Sequence, residues 1–252
     1  MFNLFKKPRP APTDVAASPA PNLTDVNSTM ASLVKTAGHS LEKEGLAGTR
    51  AAVYLVIDRS YSMHSHFGNG SVQHLADQAL GLSVNLDDDG IVPLVFFDSK
   101  PYPIAEISLT RYAGVVGHQH SLHGGIVTMG GTQYAIAMRA VIEHYQDYQR
   151  RGGTDPALVI FQTDGDPQDR DAARLQLAHA SALPLYWSFI GFGKTPIPFL
   201  QRLDDMGGRV VDNATYFHAG ERPTGVSDAE LYDQLLRDFG PWMAAARAKG
   251  VL

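Results

Sequence analysis

Ala51-Ala52-Val53-Tyr54-Leu55-Val56-Ile57-Asp58-Arg59-Ser60-Tyr61-Ser62 is the stretch that decides the fold. The apolar run from Ala51 to Ile57 is too short for a core helix and has no polar alternation, so it predicts a strand buried on both faces. A strand covered on both sides belongs in the middle of a sheet with helices above and below it. Working outward, Val72 to Leu86 places Leu75, Ala76, Ala79, Leu80 and Leu82 on one helical face, and Ile91 to Phe97 is a second buried strand, which completes a βαβ unit. Pro103 to Leu109 reads as a short edge strand, because Pro101 and Pro103 remove ladder donors at its start. Helices follow at Thr132 to Tyr148, Asp171 to Ala182 and Pro198 to Met206, alternating with strands at Ala157 to Phe161, Leu185 to Phe192 and Ala214 to His218. Asp228 to Lys249 reads as a long terminal helix with a break near Gly240-Pro241. The expected fold class is α/β, Rossmann-like, with a mostly parallel central sheet and helices on both faces.

The 252 residues are 44% hydrophobic and 19% charged, enough to bury one main core. From Pro8 to Pro21 the chain is mostly Pro, Ala, Ser and Thr, so residues 1–22 are expected to form a flexible leader. Residues 23–49 are expected to carry a helix docked on the domain, capped at Thr24 or Asp25 and running through Met30, Leu33, Val34, Ala37 and Leu41. The domain itself is expected to occupy residues 50–252. A net charge of −5 gives no global field for nucleic-acid phosphates. The absence of cysteine excludes disulfides, thiolate zinc sites and cysteine nucleophiles. No apolar run reaches the length of a signal peptide or a membrane span, which leads to the expectation of a cytoplasmic protein.

In a sheet of this kind ligands bind beyond the carboxyl ends of the strands. Three polar segments fall there. Asp58, Ser60 and Ser62 alternate after the first strand, so three oxygens can point at a common place. Met129-Gly130-Gly131-Thr132 offers a tight turn and one hydroxyl before a helix, and Gln162-Thr163-Asp164-Gly165 follows the fourth strand. Taken singly, each is an ordinary cap or turn. Together, Asp58, Ser60, Ser62, Thr132 and Asp164 form a hard, all-oxygen donor set suited to Mg²⁺, with Mn²⁺ or Ca²⁺ as other candidates, at oxygen distances of about 2.0 to 2.2 Å for Mg²⁺.

Other signals carry readings of their own. Asp166 rivals Asp164 but precedes Pro167 in an expected turn, and Asp98 reads as a turn residue or a water-bridged ligand. His118, His120 and His123 share a Gly-rich segment that reads as a solvated loop, with a soft-metal site as its other reading. His64 and His66 read as exposed residues at the rim. Gly191-Phe192-Gly193-Lys194-Thr195 lacks the first Gly of a phosphate-binding loop, since Ser188 stands there. Trp187 and Trp242 read as core.

The three-part pattern Asp58-Arg59-Ser60-Tyr61-Ser62, Thr132 and Asp164 resembles the metal-ion-dependent adhesion site of the von Willebrand factor A (vWA) family, over roughly Arg50 to Gly220. The family usually has Gly before the last Ser, where this chain has Tyr61. Ser40 to Leu46 and the Pro-rich leader are similar to the cytoplasmic bacterial vWA proteins associated with tellurium resistance. The resemblance implies a vWA fold, a bound Mg²⁺ and a protein-binding role in which a partner's Asp or Glu completes the metal shell, in a bacterial stress response. It implies no catalytic residue.

Two other functions fit parts of the sequence. A Mg²⁺-dependent phosphohydrolase of haloacid-dehalogenase type also places an Asp after the first strand and a Gly-Asp pair, here Gly165-Asp166, after a later one. That chemistry needs a second carboxyl two positions on, where this chain has Ser60, and a hydroxyl does not exchange protons near neutral pH. A structural subunit with a vestigial metal site is the third reading.

Overall fold

The computed structural model describes residues 27–252. The leader expected over residues 1–22 and a cap at Thr24 or Asp25 lie outside the described residues. Helix α1, Ser28–Lys43, starts at Asn27, whose side-chain oxygen accepts a hydrogen bond from the Met30 amide at 2.9 Å. Its buried face, Met30, Leu33, Val34, Ala37 and Leu41, packs against α3, Ser71–Leu86, and α8, Asp228–Leu236. The close approach of α1 to α3 depends on Gly81, where a Cβ would stand 2.9 Å from Leu33 Cβ and 3.0 Å from the Tyr232 hydroxyl.

The sheet has six strands in the order β3-β2-β1-β4-β5-β6. They are β1 Ala52–Asp58, β2 Val92–Phe97, β3 Ala105–Ile107, β4 Ala157–Thr163, β5 Leu185–Phe192 and β6 Ala214–Gly220. All neighbours are parallel except the edge strand β3, which runs antiparallel to β2. The reason the strands read as unbroken apolar runs is visible in their alternation. Val53, Leu55 and Ile57 face a core shared with α1, α3, α8 and α9, Phe239–Ala248. Tyr54 and Val56 face a second core shared with α5, Tyr134–Arg150, α6, Arg170–Ala180, and α7, Pro198–Asp204. Each face is buried, so neither set of alternating positions is polar. Trp187 and Trp242 belong to these two cores.

From β1 the chain moves outward through β2 to β3, then returns to place β4 on the other side of β1. The β1–β4 boundary is therefore the switch point at which open α/β sheets leave a crevice. Ile57 lies opposite Gln162, so Asp58 and the pair Thr163-Asp164 leave the sheet side by side.

Three expectations need correction. The terminal helix is two helices, parted at Arg237 and Asp238 before Gly240, because Pro241 sits in the first turn of α9, where a missing N–H breaks no helical bond. Residues 64–68 and 115–122, read as loops, are the short helices α2, His64–Gly68, and α4, Val115–Leu122. Helix α4 buries only Val115 and Val116, a stripe too thin to be seen by periodicity, and is held by outside contacts such as the Val116 amide donating to Gln73 Oε1 at 3.1 Å.

Candidate metal-binding site

The five residues singled out by the sequence lie at the carboxyl end of the sheet. Four are joined directly. Asp58 Oδ1 accepts from the Ser60 amide at 2.7 Å, the Ser60 and Ser62 hydroxyls are 3.1 Å apart, and the Ser62 hydroxyl donates to Asp164 Oδ1 at 2.7 Å. Asp58 and Ser60 are buried, Asp164 is half-buried and Ser62 is exposed, so the row of oxygens climbs from the core to the surface. Thr132, half-buried, stands on the adjoining segment and shares no hydrogen bond with the other four through its hydroxyl among the described residues. Its segment is tied to theirs on both sides: Gly130 bridges Ser60 and accepts from the Tyr61 amide at 3.0 Å, and the Gln133 amide donates to the Asp98 carbonyl at 3.2 Å. Two glycines permit this approach. A Cβ on Gly130 would lie 2.9 Å from Ser99 Oγ, and one on Gly131 would lie 2.7 Å from Gln168 Oε1.

Two residues that the sequence reading passed over hold the site in place. Thr163, the last residue of β4, donates to Asp58 Oδ2 at 2.6 Å. Tyr134, the first residue of α5, donates to the Gly165 carbonyl at 2.5 Å and so fixes the turn that carries Asp164. Alternation along a strand would have pointed to Thr163, one residue before the chosen Asp164; Tyr134 leaves no local signal.

Among the described residues neither Asp58 nor Asp164 has a Lys or Arg partner. Burial pushes the Asp58 carboxyl up to about 7, against the pull of its hydrogen bonds from Thr163 and the Ser60 amide and with help from the charge of Asp164. Burial also raises Asp164, while its bond from Ser62 works the other way. Arg59, the residue after Asp58, turns away from the row of oxygens into the core. It is 0% exposed and pairs with the equally buried Asp98, Nη1 to Oδ2 at 3.0 Å. Asp98 also accepts from the Tyr102 hydroxyl at 2.5 Å and the Lys100 amide at 3.1 Å. It is thus the counterion of Arg59 in a turn, and its oxygens are committed away from the candidate site.

The remaining candidates separate in the same way. Asp166 caps α7 through the Phe199 amide at 3.0 Å and pairs with Arg170 at 2.8 Å. His64 is exposed and stacks on Tyr61, as a rim residue would, whereas His66 is buried against Phe192 with ring centroids 5.1 Å apart. His120 stacks on Phe67 and His123 lies tilted against Tyr102, each with centroids 4.3 Å apart, so these two pack on the domain, whereas His118 is exposed as a solvated residue would be. Burial lowers both of these histidines. Among the described residues no group of three or more His, Asp or Glu side chains is placed to hold a metal, which removes the soft-metal reading of His118, His120 and His123. Lys194 pairs with Glu221 at the surface.

A family model described as the vWA found in the TerF C terminus matches residues 50–252. The chain belongs to this vWA-TerF-like family. A relative of this vWA chain is the uncharacterized protein YcbR of Bacillus subtilis (strain 168), 29% identical over 212 residues that cover 84% of this chain and 85% of that protein. Among solved structures, the vWA chain resembles proximal thread matrix protein 1 from the mussel byssus, with a TM-score of 0.51 at 15% identity over 75% of this chain and 47% of that one. It also resembles a von Willebrand factor type A structure from Catenulispora acidiphila, with a TM-score of 0.50 at 14% identity over 75% and 42% of the two chains. At these identities the likeness is one of fold, and the vWA chain spans less than half the length of either structure.

Proposed function

We propose that this vWA domain is a divalent-metal-dependent protein-binding module and not an enzyme. The observation that carries the reading is the connected row Asp58, Ser60, Ser62 and Asp164 at the switch point, with two carboxylates that have no Lys or Arg partner among the described residues. The donor set is all oxygen, which fits Mg²⁺, Mn²⁺ or Ca²⁺ and disfavours softer metals. Asp58, Ser60 and Ser62 would hold the ion with Thr132 and Asp164, directly or through water. A divalent cation there supplies an electrophilic position for an outside carboxylate, because only two of the five residues carry charge. The domain's own residues set that preference: Thr163 orients Asp58, Tyr134 fixes the Asp164 turn, and the exposed Ser62 leaves the site open to a partner presenting Asp or Glu.

The phosphohydrolase alternative is not favoured. Ser60 occupies the position that needs a carboxyl, and the Asp166 carboxylate is spent on a helix cap and an ion pair. Among the described residues no helix is long and apolar enough to cross a membrane. A cytoplasmic place, argued from the short apolar runs of the sequence, and a role in tellurium resistance or stress, argued from the sequence resemblance, are part of the proposal.

Calorimetric titration with Mn²⁺ across pH tests the reading. Metal requires the ionised Asp58, so the apparent affinity should rise about tenfold per pH unit below about 7 and level off above it. Without metal the sign reverses. Asp58 has a folded value raised above its unfolded one, so its contribution to stability is full below about pH 4 and is lost as pH rises through about 7. Urea unfolding in EDTA should follow that trend, and a Mn²⁺ affinity indifferent to pH would remove Asp58 from the site.

A further inference from the structure

The segment Gly125–Thr128, a single 3₁₀ turn following α4, turns two aliphatic side chains outward: Ile126 is 48% exposed and Val127 is 90% exposed. Leu122, at the end of α4, and Tyr61, inside the candidate site loop, are also exposed. Scattered surface apolar residues need no explanation, but this group is held in place by an unusual device. Three of the six hydrogen bonds of the buried Arg59 guanidinium end on this segment and a fourth on His123 just before it. They run from Nη1 to the Thr128 carbonyl at 3.3 Å, and from Nη2 to the His123 carbonyl at 3.0 Å, the Gly125 carbonyl at 2.6 Å and Thr128 Oγ1 at 2.7 Å. The other two bonds go to Asp98 and Tyr102. The reversal into the turn uses two successive left-handed glycines, Gly124 with φ 92° and Gly125 with φ 59°.

The two terminal nitrogens of the buried guanidinium hold three carbonyls and one hydroxyl of residues 123–128, which fixes the loop's backbone, so the outward direction of Ile126 and Val127 is built in. The same arginine belongs to the Asp58–Ser62 loop, which couples the two. Gly130 accepts from the Tyr61 amide, and Val127 is three residues from Gly130, at most about 11 Å along the chain. The aliphatic patch therefore adjoins the site within the span of a short peptide.

We propose that this patch is the second half of the partner-binding surface, and that the partner presents its Asp or Glu beside a bulky aliphatic or aromatic residue that covers Ile126 and Val127. The inference rests on the metal-dependent reading above and names the partner's chemistry. An ion alone accepts any carboxylate; a fixed apolar platform beside it selects among acidic peptides by burying the adjoining side chain.

The probe is a pair of fluorescent peptides with one central Glu flanked by Leu in one and by Ser in the other, titrated with the 252-residue chain in Mg²⁺ and in EDTA. The Leu-flanked peptide should bind at least tenfold more tightly in Mg²⁺. An Ile126→Ser/Val127→Ser variant should bind the two within about twofold, because burial of the flanking residue is lost. Both positions are exposed, so this variant should match wild type in circular dichroism and in calorimetric Mn²⁺ affinity. Equal binding of the two peptides to wild type, binding of neither, a preference that survives in the variant, or one of the same size in EDTA would each overturn the inference. Failure of the metal-dependent reading shows separately, as absence of Mn²⁺ binding by wild type.

Discussion

Asp58→Ala is expected to weaken Mn²⁺ binding by about 100-fold or more while leaving the domain folded. Removing even an outer-shell partner of a metal ligand costs about 10- to 100-fold, and Asp58 supplies one of only two charges in the proposed donor set. Its effect on the metal-free fold is a contest between two terms. The buried carboxylate is itself costly near pH 8, whereas its loss takes the acceptor from the Ser60 amide and leaves the Thr163 hydroxyl only the Gly165 carbonyl at 3.3 Å, at about 1–3 kcal/mol. We expect the two to cancel to within about 1 kcal/mol. Asp58→Asn separates them, since it removes the charge, keeps one acceptor oxygen for the Ser60 amide and offers the Thr163 hydroxyl an N–H to accept. It should lose metal equally and be at least as stable as wild type in EDTA. Calorimetry and urea unfolding of the two variants check both halves, and a substitution that unfolds the domain would mean that Asp58 is a structural residue.

Arg59→Leu is expected to be the most destabilising substitution in the site region, by about 3–5 kcal/mol, because it leaves Asp98 as an uncompensated charge at 2% exposure. For a domain of this size that corresponds to a fall in Tm of roughly 10 °C. Most of the cost belongs to the orphaned partner, so Arg59→Leu combined with Asp98→Asn should recover a large part of it. Thermal melts of the two single variants and the double variant measure that coupling. A loss below about 1 kcal/mol for Arg59→Leu would show that the guanidinium is not what anchors the segment 123–128.

These two adjacent residues mark where the sequence is legible and where it is not. The strands were readable because burial on both faces makes them continuous apolar runs, and Asp58 stood out as the abrupt end of the most apolar of them. Ser60, Ser62 and Asp164 followed from their places at strand ends. Arg59 stays unread in the sequence because a buried guanidinium has no local signature. Its partners are Asp98, Tyr102 and carbonyls about 65 residues away, brought together only by the β1–β2 pairing and the fold of the intervening chain. Helix α4 was hidden for a related reason: two buried valines are too few to mark a helix, and the stacking of His120 on Phe67 is a tertiary contact. The break between α8 and α9 was placed slightly late because Pro241 was read as the interruption, whereas it starts the second helix.

Whether the oxygens at the β1–β4 switch point hold a divalent cation is decided by diffraction from crystals grown with Mn²⁺, collected at a wavelength where manganese scatters anomalously. One strong anomalous peak is expected, bonded to the Ser60 and Ser62 hydroxyls, with Asp58, Thr132 and Asp164 around it directly or through one water. A peak only elsewhere on the domain, or none at a Mn²⁺ concentration that saturates the calorimetric titration, would contradict it.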